Sequence, residues 1–244
     1  MDDSMLVVAA GFNGPRLSAN GGYVGGLMAE RFHNAFGGDG TVEITLRGPV
    51  PIGRALQVTR KNESLALHDG ATVLCEARAA TLAHLVPPPP PSDWDDVMRR
   101  GEEGGSPEDS EFSQCVVCGR ARGVGDGLRV FGSYGPRPGH SLSCYLPHAN
   151  HADVEGRIRR ELVWGILDCP GAFAVQGPGD WRPALTGRIT AKVFERPRVG
   201  ERCAVVGWKT GEDGRKLHSG TALYTEHGRL CALAACTWIL LNTN

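Results

Sequence analysis

Val42-Glu43-Ile44-Thr45-Leu46 begins an apolar strand, and Pro51-Ile52-Gly53 supplies the turn that ends it. A second strand follows and turns at Asp69-Gly70, and a long apolar strand then closes at Leu82. Short apolar runs punctuated by Gly, Pro and Asp are the signature of antiparallel strands joined by tight turns. Residues 185–241 carry the same order again: a strand, a turn at Arg198-Val199-Gly200, a strand, a longer loop, a strand, a turn at His227-Gly228 and a long apolar strand. One helical segment precedes each set, around 20–36 and around 157–168. The repeated unit is too long for a solenoid repeat and fits a small domain. The pattern therefore predicts a duplicated α+β module.

The boundary between the copies is marked by the proline run Pro87 to Pro91, which is stiff and cannot donate to a sheet ladder. An acidic, Gly/Ser-containing stretch from Asp93 to Glu111 follows, with a short helical turn around Trp94–Arg100. This predicts an N-terminal unit over 1–84, a surface linker without chemistry over 85–112 and a C-terminal unit over 113–244. The 244 residues suffice for two such units, and a formal net charge of −1 gives no electrostatic reason to expect nucleic acid or an anionic membrane as partner. No apolar run approaches the roughly 20 residues that span a bilayer, and the N-terminus lacks a signal-peptide pattern, so the expected location is the cytoplasm. Eight cysteines in a reducing compartment read as small core residues, and Cys75, Cys203, Cys231 and Cys236 all fall in apolar strand segments.

In the first helical segment Tyr23, Leu27, Met28, Phe32 and Phe36 recur at three- and four-residue spacing, which is one apolar stripe. Asn20 is placed to cap the helix, and Gly21 and Gly22 occupy its first turn, where backbone amides have no intrahelical partner. Without Cβ atoms there, a ligand oxygen can reach those amides at the positive end of the helix dipole. The glycines serve equally well to allow close packing, which is the reading given to Gly25 and Gly26 against the sheet. The second segment carries its stripe on Ile158, Leu162, Val163, Ile166 and Leu167, and Pro170 predicts that it stops near Asp168. An acid at a helix C-terminus among apolar neighbours is disfavoured electrostatically and marks a candidate site residue, or else a solvated helix end. This second helix opens with Arg157-Ile158-Arg159-Arg160 and has no glycine pair.

Other chemistries lack their context. Cys115-x-x-Cys118 resembles half a zinc site but has no second CxxC, and His148 and His151 are too loosely placed to complete it, so no metal or cofactor is expected. Asp213 and His218 have a hydratase-like spacing but sit at a hairpin tip. No P-loop, dinucleotide fingerprint or Gly-x-Ser-x-Gly elbow occurs.

The stretch Asn20-Gly21-Gly22-Tyr23-Val24-Gly25-Gly26 resembles the start of the central helix in thioesterase-like hot-dog domains. Cys115-Val116-Val117-Cys118-Gly119 with Gly127-Leu128-Arg129-Val130-Phe131 resembles the opening strand region of a second such domain, and Glu161 to Pro170 its helix. The chain is thus similar to double hot-dog proteins of the acyl-CoA thioesterase superfamily. That resemblance implies an α+β tandem hot-dog fold, with two antiparallel sheets each wrapping a long central helix and paired into a pseudo-dimer. It also implies a CoA thioester hydrolase with one composite site between the halves. There Asn20, Gly21 and Gly22 would polarise the carbonyl and Asp168 would act as base or nucleophile. At the reciprocal site Ala29 or Glu30 would stand at the acid position, with Glu30 the lesser candidate. Tyr23, Trp164 and Trp181 would contact the acyl group, and Arg157, Arg159, Arg160 and Arg182 could meet CoA phosphates. The alternative is a hot-dog protein that binds acyl-CoA or another acyl ligand without turnover. Sheet edges and faces leave room for pairing into a homo-oligomer.

Overall fold

Alternating burial decides which face of each strand meets the core. In β2 (Val42–Leu46), Val42 and Ile44 are buried while Glu43 and Thr45 are half-buried, as a strand covered mainly on one face requires. The structure, a computed structural model, describes residues 4–15, 17–106, 109–135, 137–177 and 182–241. The first half comprises β1 (Met5–Val7), α1 (Gly21–Phe36), β2, β3 (Ala55–Lys61), β4 (Ser64–Asp69) and β5 (Thr72–Ala79). Next come α2 (Trp94–Glu103), β6 (Ser133–Tyr134), β7 (His140–Tyr145) and α3 (Arg160–Val175). Four long strands complete the chain: β8 (Ala184–Val193), β9 (Cys203–Asp213), β10 (Lys216–Thr225) and β11 (Leu230–Leu240).

Among the described residues the sheets of the two halves join into one. A single 11-stranded sheet runs in the order β1-β3-β4-β5-β2-β8-β11-β10-β9-β7-β6, and all its pairings are antiparallel. Counted outward from the central pair, β2-β5-β4-β3-β1 in one half corresponds to β8-β11-β10-β9-β7 in the other. The seam is continuous because β2 and β8 exchange ladder bonds and set Ile44 opposite Ile189, both fully buried. The turns are matched as well: Gly53 and Gly200 have φ of 69° and 79°, a left-handed conformation that glycine adopts at no steric cost. The longer loop expected between β9 and β10 is instead a tight turn at Gly214, because the ladder continues through polar, exposed residues beyond the core.

Both long helices lie on one face of the sheet, and they approach each other closely. A Cβ on Gly22 would lie 2.6 Å from Asp168 Cβ and from the Trp164 carbonyl oxygen, and one on Gly26 would lie 2.4 Å from Glu161 Cα. Gly26 therefore serves helix–helix contact, and Gly25 fits between Trp164 and Ile189.

The expected end of the second helix near Asp168 is corrected: α3 continues to Val175 with Pro170 inside it. Every residue from Glu161 to Val175 is buried, so packing outweighs the lost backbone hydrogen bond. Neighbouring carbonyls gain hydroxyl donors: Ser141 Oγ donates to Pro170 O at 2.6 Å and Thr221 Oγ1 to Leu167 O at 2.7 Å. Asp168 is thus a mid-helix residue, and the helix-end dipole argument does not apply to it.

The linker does more than cross the surface. Val97 of α2 is fully buried in a cluster with Leu142, Val206, Trp208 and Leu233 on the sheet face opposite the long helices, and the Tyr224 hydroxyl donates to Pro88 O at 2.6 Å. The opening strand expected over 115–131 is instead a string of turns, tied by Val116 N to Asn13 O (2.8 Å) and Leu128 N to Val116 O (2.7 Å). None of the described helices is long and apolar enough to cross a membrane.

Gly26→Ala must force the two helix backbones apart, and it is expected to destabilise the fold by about 1–3 kcal/mol despite alanine's better helix propensity. Gly40→Ala, which meets nothing within 4 Å, should change stability by no more than about 0.5 kcal/mol. Urea denaturation of the two variants checks the contrast.

Candidate active site

Asn20 stands at the N-cap of α1 with extended backbone angles, and its Oδ1 accepts from the Tyr23 amide at 2.9 Å. That bond fixes the side-chain amide, so Nδ2 points the other way, where it donates to Asp168 Oδ2 at 3.2 Å. The Gly22 amide donates to the same oxygen at 2.9 Å. Thr186 on β8 donates its hydroxyl to Asp168 Oδ1 at 2.8 Å. A carboxylate from one half is thereby held on the helix N-terminus of the other, an arrangement that the close crossing at Gly22 alone permits.

Asp168 is 1 % exposed and forms no ion pair among the described residues. Burial pushes its carboxyl up to about 6. The hydrogen bonds from Thr186, Gly22 and Asn20 work against that rise, and negative charge at Cys115 adds to it.

A cleft with a cavity volume of about 240 Å³ opens beside this cluster. Asn20, Gly21 and Asp168 line it, together with Leu46, Phe112 and Trp238. The Gly21 amide has no hydrogen-bond partner among the described residues, whereas that of Gly22 is engaged by Asp168. Gly21 is therefore the glycine that presents a free donor at the cleft. Tyr23 and Trp164 are off the cleft wall: Tyr23 stacks on Phe12 with ring centroids 4.2 Å apart, and Trp164 is buried against Gly25. Trp181 lies outside the described residues. Arg157, Arg159, Arg160 and Arg182 do not reach the wall, while Arg47 does and pairs there with Glu76 at 2.5 Å.

The corresponding place in the other half is unlike this one. Ala29 is the ninth residue of α1, as Asp168 is of α3, and it is fully buried. The N-terminus of α3 carries Arg160 and Glu161 where α1 has Gly21 and Gly22. Glu30 has its carboxyl raised, first by burial and then by Glu161, and it lies off the cleft.

Sequence reasoning missed Thr186, whose signal is only a hydroxyl within a strand pattern. It also missed Cys169. The expectation that Cys115 and Cys118 stand without a further ligand is corrected, because Cys169 joins them and the three sulfurs all lie within 4.8 Å of one another, buried. The clue was a third cysteine directly after the candidate acid. Cys115 accepts from the Cys118 and Cys169 thiols and from the Cys118 and Val117 amides, which holds it well below the ordinary thiol range. Its two partners, as donors to Cys115, are pushed well above that range.

No protein-family profile matches the chain, and no curated protein sequence matches it. Solved structures do. A candidate thioesterase from Novosphingobium aromaticivorans superposes with a TM-score of 0.65 at 12% identity, covering 99% of this chain and 97% of that one. The TesB protein of Mycobacterium avium subspecies paratuberculosis superposes with a TM-score of 0.63 at 12% identity, covering 99% and 94%. The chain has the fold of these thioesterase-like hot-dog proteins over nearly its whole length.

Asn20→Ala removes both the cap of α1 and a donor to a buried carboxyl. A loss of about 1–3 kcal/mol is expected, read as a lowered urea midpoint at unchanged slope.

Proposed function

We propose that this chain is an acyl-CoA thioesterase-like hydrolase with one working site, composed from both halves. The observation that carries the reading is the Asp168 carboxyl, buried without a countercharge at the N-terminus of α1 and on the wall of a cleft. The fold shared with a candidate thioesterase adds support.

In this reading the thioester carbonyl oxygen lies on the Gly21 amide, where the dipole of α1 favours developing negative charge. Asp168 takes a proton from a water as the water oxygen bonds to the carbonyl carbon. Gly22, Asn20 and Thr186 keep the carboxyl oriented and prevent it from rotating out of line. The tetrahedral intermediate then collapses, the carbon–sulfur bond breaks and CoA leaves as thiolate or takes the proton from Asp168. A thiolate is a good leaving group, so the step calls for no strong acid. Leu46, Phe112 and Trp238 furnish an apolar wall for the acyl group. The cavity lies below the roughly 300–1,000 Å³ of sites that engulf a drug-sized ligand. The cleft therefore suits the thioester end of a short or single-ring acyl-CoA, with most of the CoA outside.

Thiol release from a panel of acyl-CoAs tests the proposal. Asp168→Asn should lower kcat at least about a hundredfold. Thr186→Val, which removes one orienting hydrogen bond, should lower it about tenfold, and Glu30→Gln should leave it unchanged. Turnover that survives Asp168→Asn would overturn the site. Binding of acyl-CoA with no thiol release would mark a ligand-binding protein instead.

A further inference from the structure

We propose that Cys115, Cys118 and Cys169 form a three-thiolate site for one zinc ion, which ties the turn region after the linker to α3 beside Asp168. The sulfurs come from two places in the fold. Cys115-Val116-Val117-Cys118-Gly119 supplies two from one tight turn, and α3 supplies the third. The Cys115 and Cys169 sulfurs are 3.8 Å apart. With zinc–sulfur bonds of about 2.3 Å, two sulfurs on a tetrahedral zinc stand about 3.8 Å apart. The same separation is far too long for a disulfide, whose sulfurs are bonded at about 2.05 Å.

The sulfurs also have polar neighbours, unlike cysteines packed only among apolar side chains. Asn20 Nδ2 lies 3.8 Å from both Cys115 Sγ and Cys169 Sγ, and Ser106 Oγ lies 3.2 Å from Cys118 Sγ. Donors directed at ligand sulfurs orient them and offset their charge. The turn is also braced for a fixed geometry. Gly119 N donates to Cys115 O at 2.9 Å, and a Cβ at Gly119 would lie 2.4 Å from Ser113 O. By contrast, Cys75, Cys203 and Cys236 are buried in strands away from this cluster.

Among the described residues no fourth Cys, His, Asp or Glu joins the three sulfurs. Cys115 and Cys169 both line the cleft, so the fourth position falls to a solvent-derived ligand. Zinc binding would release the protons of the three thiols to solvent, with no change of oxidation state. The ion would fix the Phe112–Cys115 wall of the cleft against the helix that carries Asp168, whether or not the site hydrolyses thioesters.

The test is elemental analysis of the full chain, purified under reducing conditions, exposed to zinc and then dialysed. About one zinc per chain is expected. Replacement by cobalt should give the thiolate-to-cobalt charge-transfer band and intense visible bands of a tetrahedral sulfur site. Cys118→Ala and Cys169→Ala should each retain at least about tenfold less metal, while Cys236→Ala, with a buried cysteine outside the cluster, should retain it. Wild-type protein holding under about a tenth of an equivalent of zinc, with cobalt showing no sulfur band, would overturn the proposal. So would loss of two of the eight titratable thiols in wild type, which would mark a disulfide instead.

Discussion

The approach of α1 to α3 at Gly22 and Gly26 is the constraint on which the rest of the structure depends. Side chains at those two positions would collide with backbone atoms of Glu161 and Trp164, so only glycine lets the axes come this close. The contact brings the Asp168 carboxyl within hydrogen-bond distance of the amide that opens the other helix. It also lets α3 carry a proline in mid-helix, since the whole segment is enclosed and hydroxyls from the sheet reach the carbonyls of Leu167 and Pro170. Substituting either glycine would alter packing and site geometry together.

The two halves repeat the helix crossing, and they differ in which residues stand at it. A helix N-terminus with glycines, facing a carboxyl two turns along the partner helix, recurs in the other half as Arg160 and Glu161 facing Ala29. There the acidic groups, Glu30 and Glu161, oppose each other electrostatically. The crossing at Gly22 holds a lone acid with three neutral donors and, among the described residues, no cation. Such an acid keeps proton affinity in the range a general base requires, whereas a guanidinium partner would have pulled it down.

The segment between the halves builds one wall of that site. Its first part covers the outer sheet face through Val97, and its continuation delivers Phe112 and Cys115 to the cleft. This stretch has turns in place of strands, and it is held by backbone bonds to Asn13 and by Val116, Val117, Leu128 and Val130, which are buried in the main core.

What the sequence determined by itself follows from local periodicity. The strand pattern, matched turn glycines and the apolar stripe of α1 were legible because each depends on residues within a few positions of one another. Asn20 as a cap and Gly21 as an open amide were legible for the same reason, whereas the pairing of Asp168 with that helix start was implied by the resemblance and not by any local pattern. Three things were decided only by the tertiary structure. Pro170 looked like a helix end because its local preference is a stop, and burial of the flanking residues overrode it. Thr186 and Cys169 had no visible role because their partners lie across the sheet and in a distant turn. Tyr23 and Trp164 looked like pocket residues, yet packing turned both into the core. Hydrogen bonds and thiol clusters between remote segments depend on how the two halves dock, and no spacing along the chain encodes that distance.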